Sequence, residues 1–116
     1  GYLNALQRRL TLARDWSLFL EQYPVLLMPV SWQRPMPIDE DTRSPERMAQ
    51  VIAAQSPLLG TAMMGLPGLS VPTGLVDGLP VGVQLVAWRF REDLLLRAGA
   101  MIERAAGFSV LTALPR

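Results

Sequence analysis

The chain of 116 residues contains no cysteine, no histidine and no lysine, and all eleven of its basic residues are arginine. Without cysteine it forms no disulfide and carries no thiol nucleophile. Without cysteine and histidine the usual ligands of zinc and the transition metals are missing, so we expect neither a metal site nor a cofactor. Without histidine and lysine, no basic nitrogen with a pKa adjustable toward neutrality can accept a proton in catalysis.

Charge and hydropathy exclude further classes of protein. The net charge is +1, and the arginines form no run and do not alternate with aromatic residues, so we expect no nucleic-acid partner. Apolar runs such as Val25 to Met28 are far shorter than the roughly 20 residues of a membrane span, and we expect no membrane partner. The absence of cysteine fits a reducing compartment, which favours a cytoplasmic location, although other compartments fit nearly as well.

Apolar periodicity predicts three helices. The first covers residues 3–22 and ends before Pro24. The second begins at Ser44-Pro45-Glu46, which supplies a capping hydroxyl, a proline in the first turn and an acid, and it ends at Pro57. The third begins with the acids of Arg91-Glu92-Asp93 and ends at Gly107.

Three short apolar segments predict strands. Val25 to Met28 is typical of a strand buried on both faces, as in a parallel sheet. Leu69 to Val71 and Val81 to Val86 are two more, with the turn dipeptide Asp77-Gly78 between them. Residues 29–45, which include the acidic cluster Asp39 to Asp41, and residues 57–68 are predicted as loops. Helices that alternate with buried strands indicate an α/β protein of one segment, 1–116, with about three strands and three helices.

No catalytic group emerges from the residues alone. Each of the six serines lacks a base that could take its proton. Glu92 and Asp93 are explained by their place at a helix N-terminus. The glycine-rich stretch from Gly65 to Gly68 precedes a strand, whereas a phosphate-binding loop follows one.

Four apolar or amide side chains leave a choice between packing and ligand contact. Met63, Met64 and Trp88 fit packing better than ligand binding. A buried Gln84 is expected to satisfy backbone groups rather than bind a substrate.

The stretch GLPGLSVPTGLVDGLPVGVQLVAWRFREDLLL resembles the C-terminal hallmark of amidase-signature enzymes. That hallmark is a Gly-Leu-Pro turn, a Ser-Val-Pro strand end, a glycine, and then Gly-Leu-Pro-Val-Gly-X-Gln-Leu before an acidic helix start. The resemblance extends from about Tyr2 to Phe108 through the first helix and YPVLLMPV. The matching positions are Gly65, Leu66, Pro67, Pro72, Gly74, Gly78, Leu79, Pro80, Gly82 and Gln84.

The resemblance implies a fold and an activity. The family hydrolyses carboxamide C–N bonds with a Ser, cis-Ser, Lys triad that lies in the N-terminal two-thirds of its chain. This chain has no lysine and no Gly/Ser-rich run, so no triad member is assigned to it. The resemblance implies a C-terminal part that completes a mixed sheet flanked by helices, walls part of the pocket for a small amide substrate, and docks to a missing N-terminal portion or self-associates.

Departures from the family pattern bear on the substrate. Ala62 stands where the family commonly has asparagine, Ala87 where it usually has glycine and Pro24 where it has aspartate. In the glutaminyl-amidotransferase branch an acid that grips the substrate lies near the position of Gln55, and its absence argues against that branch. We expect the segment 55–68 to border the pocket, with the substrate-binding candidates Gln55, Ala62, Met63 and Met64. The alternative is a stand-alone, non-catalytic interaction or scaffold module derived from an amidase.

Overall fold

The computed structural model describes residues 1–109. It contains four α-helices, one short 3₁₀ helix and one three-stranded sheet. In chain order the elements are α1 (Tyr2–Gln22), β1 (Leu26–Pro29), the 3₁₀ helix (Glu40–Thr42), α2 (Pro45–Ala54), α3 (Ser56–Met64), β2 (Gly68–Val76), β3 (Leu79–Val86) and α4 (Glu92–Ala106). The predicted α/β class is confirmed, with one helix more than expected.

Strands β2 and β3 form the hairpin predicted from the Asp77-Gly78 dipeptide. The φ angles of Asp77 and Gly78 are 53° and 78°. Positive φ at both central residues is the requirement of the type I′ turn, whose twist matches that of the flanking strands. The hairpin therefore closes with the tightest connection available, and it positions β3 at the centre of the sheet, whose strand order is β1-β3-β2.

The prediction of a doubly buried parallel strand at residues 25–28 was wrong. β1 pairs antiparallel with β3, with Leu26 opposite Val86 and Pro29 opposite Val83. It is an edge strand in the part of the chain that the structure describes, and Leu27 is 57% exposed. A run of only four apolar residues carries no alternation that would distinguish an edge strand from a central one. Both strand pairs described are antiparallel, so no mixed sheet forms within residues 1–109.

The prediction of a loop at residues 57–68 was wrong for residues 57–64, which belong to α3. Pro57 lies in the first turn, where a missing N–H costs nothing because that donor has no partner within the helix. The helix ends at Gly65 with φ 64°, and the N–H groups of Gly65 and Leu66 donate to the carbonyls of Ala62 and Thr61. This is a Schellman motif, in which glycine supplies the left-handed residue. The proline and the glycine are therefore helix boundaries.

The sheet carries helices on both faces, and each face has its own apolar cluster. Val71, Leu85, Ala87 and Leu95 form the cluster between the sheet and α4. On the other face, where α1 and α3 lie, the cluster is Leu20, Met64, Leu66 and Val86. Because side chains alternate along a strand, the neighbours Leu85 and Val86 serve opposite clusters, and both are at most 2% exposed.

The molecule is flat and exposes much surface. Its radius of gyration is 16.6 Å and its smallest dimension is 18 Å, whereas a compact chain of this length has a radius of about 13 Å. Its accessible surface is 8599 Å², against roughly 6,300 Å² for a folded monomer of this mass. The helix α1, 21 residues long, buries only Leu20. A large apolar surface is therefore left uncovered by residues 1–109.

Helix α2 begins as its sequence predicted and is tied to the preceding turn. The Ser44 hydroxyl accepts a hydrogen bond from the N–H of Arg47. Glu40, which belongs to the acidic cluster of the predicted loop, forms ion pairs with Arg43 at 2.9 Å and with Arg47 at 2.8 Å, and its side chain is 13% exposed. The hydrogen bond from Arg43, followed by that from Arg47, lowers the pKa of Glu40 below its ordinary 4.5, and partial burial opposes the shift.

A pH titration tests this attachment of the turn to α2. A lowered pKa in the folded state means that the ion pairs stabilise the fold above the unfolded pKa, and that this contribution disappears as pH falls through the folded value. We expect the Glu40 carboxyl, followed by carbon-13 NMR, to titrate below 4.5 and to move upward in Arg43→Gln. A titration at or above 4.5 in the unmodified protein would contradict the ion pairs.

Candidate functional site

A cleft of about 490 Å³ opens on the α3 side of the sheet. Three parts of the chain line it: the segment that follows β1, the junction of α2 and α3, and the hairpin. The lining residues include Pro29, Ser31, Trp32, Gln33, Arg34, Met36, Gln55, Ser70, Pro80, Val81 and Gly82. Most of the exposed lining is apolar, while a few amide and hydroxyl groups converge on it. That is the usual composition of a site for a small organic ligand.

The segment after β1 is held in place by hydrogen bonds to the end of α2 and the start of α3. The backbone N–H of Trp32 donates to the Ala54 carbonyl at 2.8 Å, and the Ser31 hydroxyl donates to the same oxygen at 3.2 Å. The indole Nε1 of Trp32 donates to Ser56 Oγ at 3.0 Å. Because these bonds fix both the backbone and the ring, Trp32 is oriented although it is 65% exposed.

The far end of the same segment is tied to the hairpin turn. The guanidinium of Arg34 forms an ion pair with the Asp77 carboxylate, and both side chains are largely exposed. An exposed pair of this kind contributes little to stability, on the order of 0–1 kcal/mol. Its effect is geometric, because it holds the segment across one side of the cleft.

Among residues 1–109, the side chains that line the cleft include hydroxyls but no general base. Ser31 and Ser70 both line it and supply hydroxyls. No carboxylate from residues 1–109 lines it, and the whole chain has no histidine and no lysine. A serine hydroxyl without an adjacent base is a weak nucleophile. The side chains of this chain can therefore bind and orient a ligand here, but they supply no proton acceptor.

Of the four predicted substrate-binding residues, only Gln55 lies at this cleft. It ends α2 and precedes α3, it is half-buried, and its N–H donates to the carbonyls of Val51 and Ile52. Its side-chain amide can both donate to and accept from a ligand in the cleft. Gln55 lies at the junction of α2 and α3, and it is the residue of this junction that lines the cleft.

The other three predicted residues lie farther along α3. Met63 is 70% exposed and Ala62 is exposed, whereas Met64 is 7% exposed and belongs to the apolar cluster with Leu20. Met63 and Met64 border a second depression of about 240 Å³, beside Trp16. At 1.5 Å per helical residue, Gln55 and Met64 are separated by roughly 13 Å, so the four residues do not converge on one site. A pocket role for the three stays a prediction.

Gln84 is buried and has a defined partner. Its Nε2 donates to Thr61 Oγ1 at 3.2 Å, and Thr61 in turn donates to the Leu58 carbonyl at 2.9 Å. The partner is a side chain of α3 rather than the backbone group expected from the sequence. The bond fixes α3 over the centre of the sheet. The Gln84 amide therefore has a structural role, in which its nitrogen donates a hydrogen bond to a buried partner.

Trp32 is the functional candidate that sequence reasoning missed. The sequence offered one signal, a large aromatic residue between two prolines directly after a strand, but its partners Ala54 and Ser56 lie more than twenty residues away. Only the folded structure shows that these residues meet.

The chain belongs to the amidase family, whose family model matches residues 1–96. This confirms the family predicted from the Gly-Leu-Pro and Gly-X-Gln-Leu motifs. Among residues 1–109 no helix is long and apolar enough to cross a membrane.

Individual relatives are of two kinds. The chain is 43% identical over 95 residues to an indoleacetamide hydrolase of Bradyrhizobium japonicum, covering 81% of this chain and 20% of that enzyme. It is 38% identical over 104 residues to a glutamyl-tRNA(Gln) amidotransferase subunit of Desulforudis audaxviator, covering 90% of this chain and 20% of that protein.

A solved structure gives the same picture of the fold. The crystal structure of the corresponding glutamyl-tRNA(Gln) amidotransferase subunit from Thermotoga maritima aligns with a TM-score of 0.68 at 28% identity, over 79% of this chain and 20% of that one. The chain therefore spans about a fifth of the length of the relatives it matches.

Proposed function

We propose that this chain is the C-terminal segment of an amidase that hydrolyses carboxamide C–N bonds. In that enzyme it completes the sheet and walls part of the substrate pocket, while the catalytic Ser, cis-Ser, Lys triad lies in another part of the protein. The observation that carries the proposal is that the amidase family model matches residues 1–96, while the chain spans only about a fifth of the length of its relatives. The lack of lysine from the chain supports the assignment of the triad elsewhere.

The uncovered surface supports docking to a further portion of the enzyme. The accessible area exceeds that of a typical folded monomer by about 2,300 Å², and α1 exposes Leu3, Leu10 and Leu18 by more than half. An excess of this size is more than the roughly 1,000 Å² that each partner contributes to an obligate interface of about 2,000 Å² in total. In the absence of that portion, the same surface and the free edge of β1 favour self-association. A cytoplasmic location stays a prediction.

A small amide is the substrate class we propose. One relative is named for indoleacetamide, and others are named for glutamyl-tRNA(Gln). Gln55 lies near the position where the amidotransferase branch is expected to carry an acid, and no carboxylate from residues 1–109 lines the cleft. A substrate with a free ammonium group therefore meets no carboxylate from residues 1–109 in this cleft, which favours an uncharged amide.

Activity of the complete gene product tests the proposal. We expect the purified product to be several times longer than 116 residues, to contain a lysine and a Gly/Ser-rich stretch upstream, and to release ammonia from a panel of primary amides. A natural product of about this length, with no amide turnover, would instead support the stand-alone interaction module.

Kinetics of Gln55 variants test its place in the pocket wall. In the complete enzyme we expect Gln55→Ala to raise KM about 2- to 10-fold with little change in kcat, because a lost hydrogen bond to the bound amide weakens ground and transition states alike. Ala62→Leu, on an exposed position of α3, tests whether the second predicted residue also shifts KM or substrate preference. Unchanged kinetics over the panel, with folding intact, would assign both residues to packing.

A further inference from the structure

We infer that Trp32 is a specificity-determining residue that receives an aromatic or extended apolar group of the amide substrate, and that Ser56 positions it. The inference rests on the proposed amidase function and adds to it a substrate class and a residue. Its basis is the combination of exposure and order at one side chain: the indole is 65% exposed at the cleft, yet both its ring and its backbone are hydrogen-bonded.

An ordered, exposed indole is suited to binding. A surface tryptophan that rotates freely loses side-chain entropy when a ligand immobilises it, whereas one already fixed does not. The bond from Nε1 to Ser56 Oγ, at 3.0 Å, occupies the only polar atom of the ring. The ring faces that remain free are apolar, and they favour offset or edge-on contact with another aromatic ring.

The rest of the cleft matches the same occupant. Met36 and Val81 add apolar lining, and Gln55 supplies an amide that can pair with the carboxamide of a substrate. The single charged side chain of residues 1–109 at the cleft, Arg34, is engaged with Asp77. An uncharged amide with an aromatic group fits this arrangement better than a charged amino acid amide.

Selectivity kinetics on the complete enzyme test the inference. The probes are phenylacetamide and indoleacetamide as aromatic amides, with propionamide as the aliphatic reference. We expect Trp32→Ala to lower the ratio of kcat/KM for aromatic over aliphatic amide by about 10- to 100-fold, mainly through KM. Trp32→Phe keeps a ring but loses the bond to Ser56, so it should lower the ratio only about threefold, as Ser56→Ala does.

Two further variants separate the role of Trp32 from a general effect on folding. Ser56→Ala removes the acceptor of the indole N–H and should lower the same ratio about threefold, because the ring is no longer fixed. Phe90→Ala, an aromatic that is 89% exposed and does not line the cleft, should leave the ratio unchanged. An equal loss on aromatic and aliphatic amides in Trp32→Ala would show a merely structural residue and overturn the inference.

Direct binding of phenylacetamide, measured by calorimetry on the same proteins, distinguishes failure of this inference from failure of the proposed function. Binding that is lost in Trp32→Ala in a protein without amide turnover would support the aromatic site and reject the amidase. Turnover with a ratio insensitive to Trp32, or binding unaffected by Trp32→Ala, would reject the aromatic site.

Discussion

The isolated 116-residue chain is expected to hydrolyse no carboxamide, with kcat/KM at least about 10⁴-fold below that of the complete enzyme. Serine attack on an amide needs a group that accepts the hydroxyl proton. The cleft brings Ser31 and Ser70 together with amides and apolar groups, and the chain has neither lysine nor histidine. Because the chain has no lysine or histidine side chain to accept that proton, we expect a loss as large as that seen when several members of a triad are removed together.

The measurement is release of ammonia from aryl and aliphatic amides by the purified chain. Activity that follows the protein through purification and disappears in Ser31→Ala or Ser70→Ala would contradict the prediction. Activity that survives the replacement of each of the six serines in turn would indicate a contaminating amidase.

Replacing Gly82 by alanine is expected to destabilise the fold by at least about 2 kcal/mol. A Cβ on Gly82 would lie 2.6 Å from the carbonyl oxygen of Val71 and 3.2 Å from its carbonyl carbon. Both atoms belong to the backbone of β2, beside the change of register between Pro72 and Gly74, so no flexible side chain can move aside. The strands themselves would have to separate at the centre of the hairpin.

Gly60→Ala is the matched control for that substitution. Gly60 lies inside α3, and a Cβ there meets nothing within 4 Å. Alanine should therefore stabilise the helix by up to about 1 kcal/mol, since it only restricts the unfolded chain. Urea unfolding of the two variants should move the midpoint in opposite directions. A Gly82→Ala variant as stable as the unmodified protein would contradict the close approach of β2 to Gly82.

Local signals in the sequence were sufficient for the elements with clear ends. Ser44 caps α2, Gly107 ends α4 with φ 60°, and Asp77-Gly78 makes the hairpin turn. Each of these signals acts within a few residues, through a capping hydroxyl or a backbone conformation that few residues adopt. They could therefore be predicted without knowledge of the tertiary structure.

The wrong predictions had two causes. Some sequence signals are typical of two kinds of structure, and some contacts join residues far apart in the sequence. Pro57 and Gly65 were taken as features of a loop, although a proline in the first turn and a glycine after the last are equally typical of a helix. The antiparallel pairing of β1 with β3 joins residues almost sixty positions apart, and four apolar residues hold no information on their partner.

Of the residues that line the candidate cleft, the sequence singled out Gln55 and missed Trp32, and the substrate-binding role of Gln55 stays a prediction. Gln55 could be singled out from the family pattern, and it does line the cleft. Trp32 could not, because its position at the cleft depends on hydrogen bonds to Ala54 and Ser56 across the fold. Conversely, Met63 and Met64 were both predicted to bind substrate, but the helical turn of α3 directs Met64 into the apolar cluster with Leu20.

Reconstitution from two separate chains is the most direct test of the claim that this segment is the C-terminal part of an amidase. The portion that our proposal places before Gly1 is expressed alone, and its amide turnover is measured with and without the present chain. We predict that neither chain is active alone, and that together they form a one-to-one complex by light scattering and release ammonia from primary amides. Full activity of the preceding portion alone, or failure of the two chains to associate, would contradict the account.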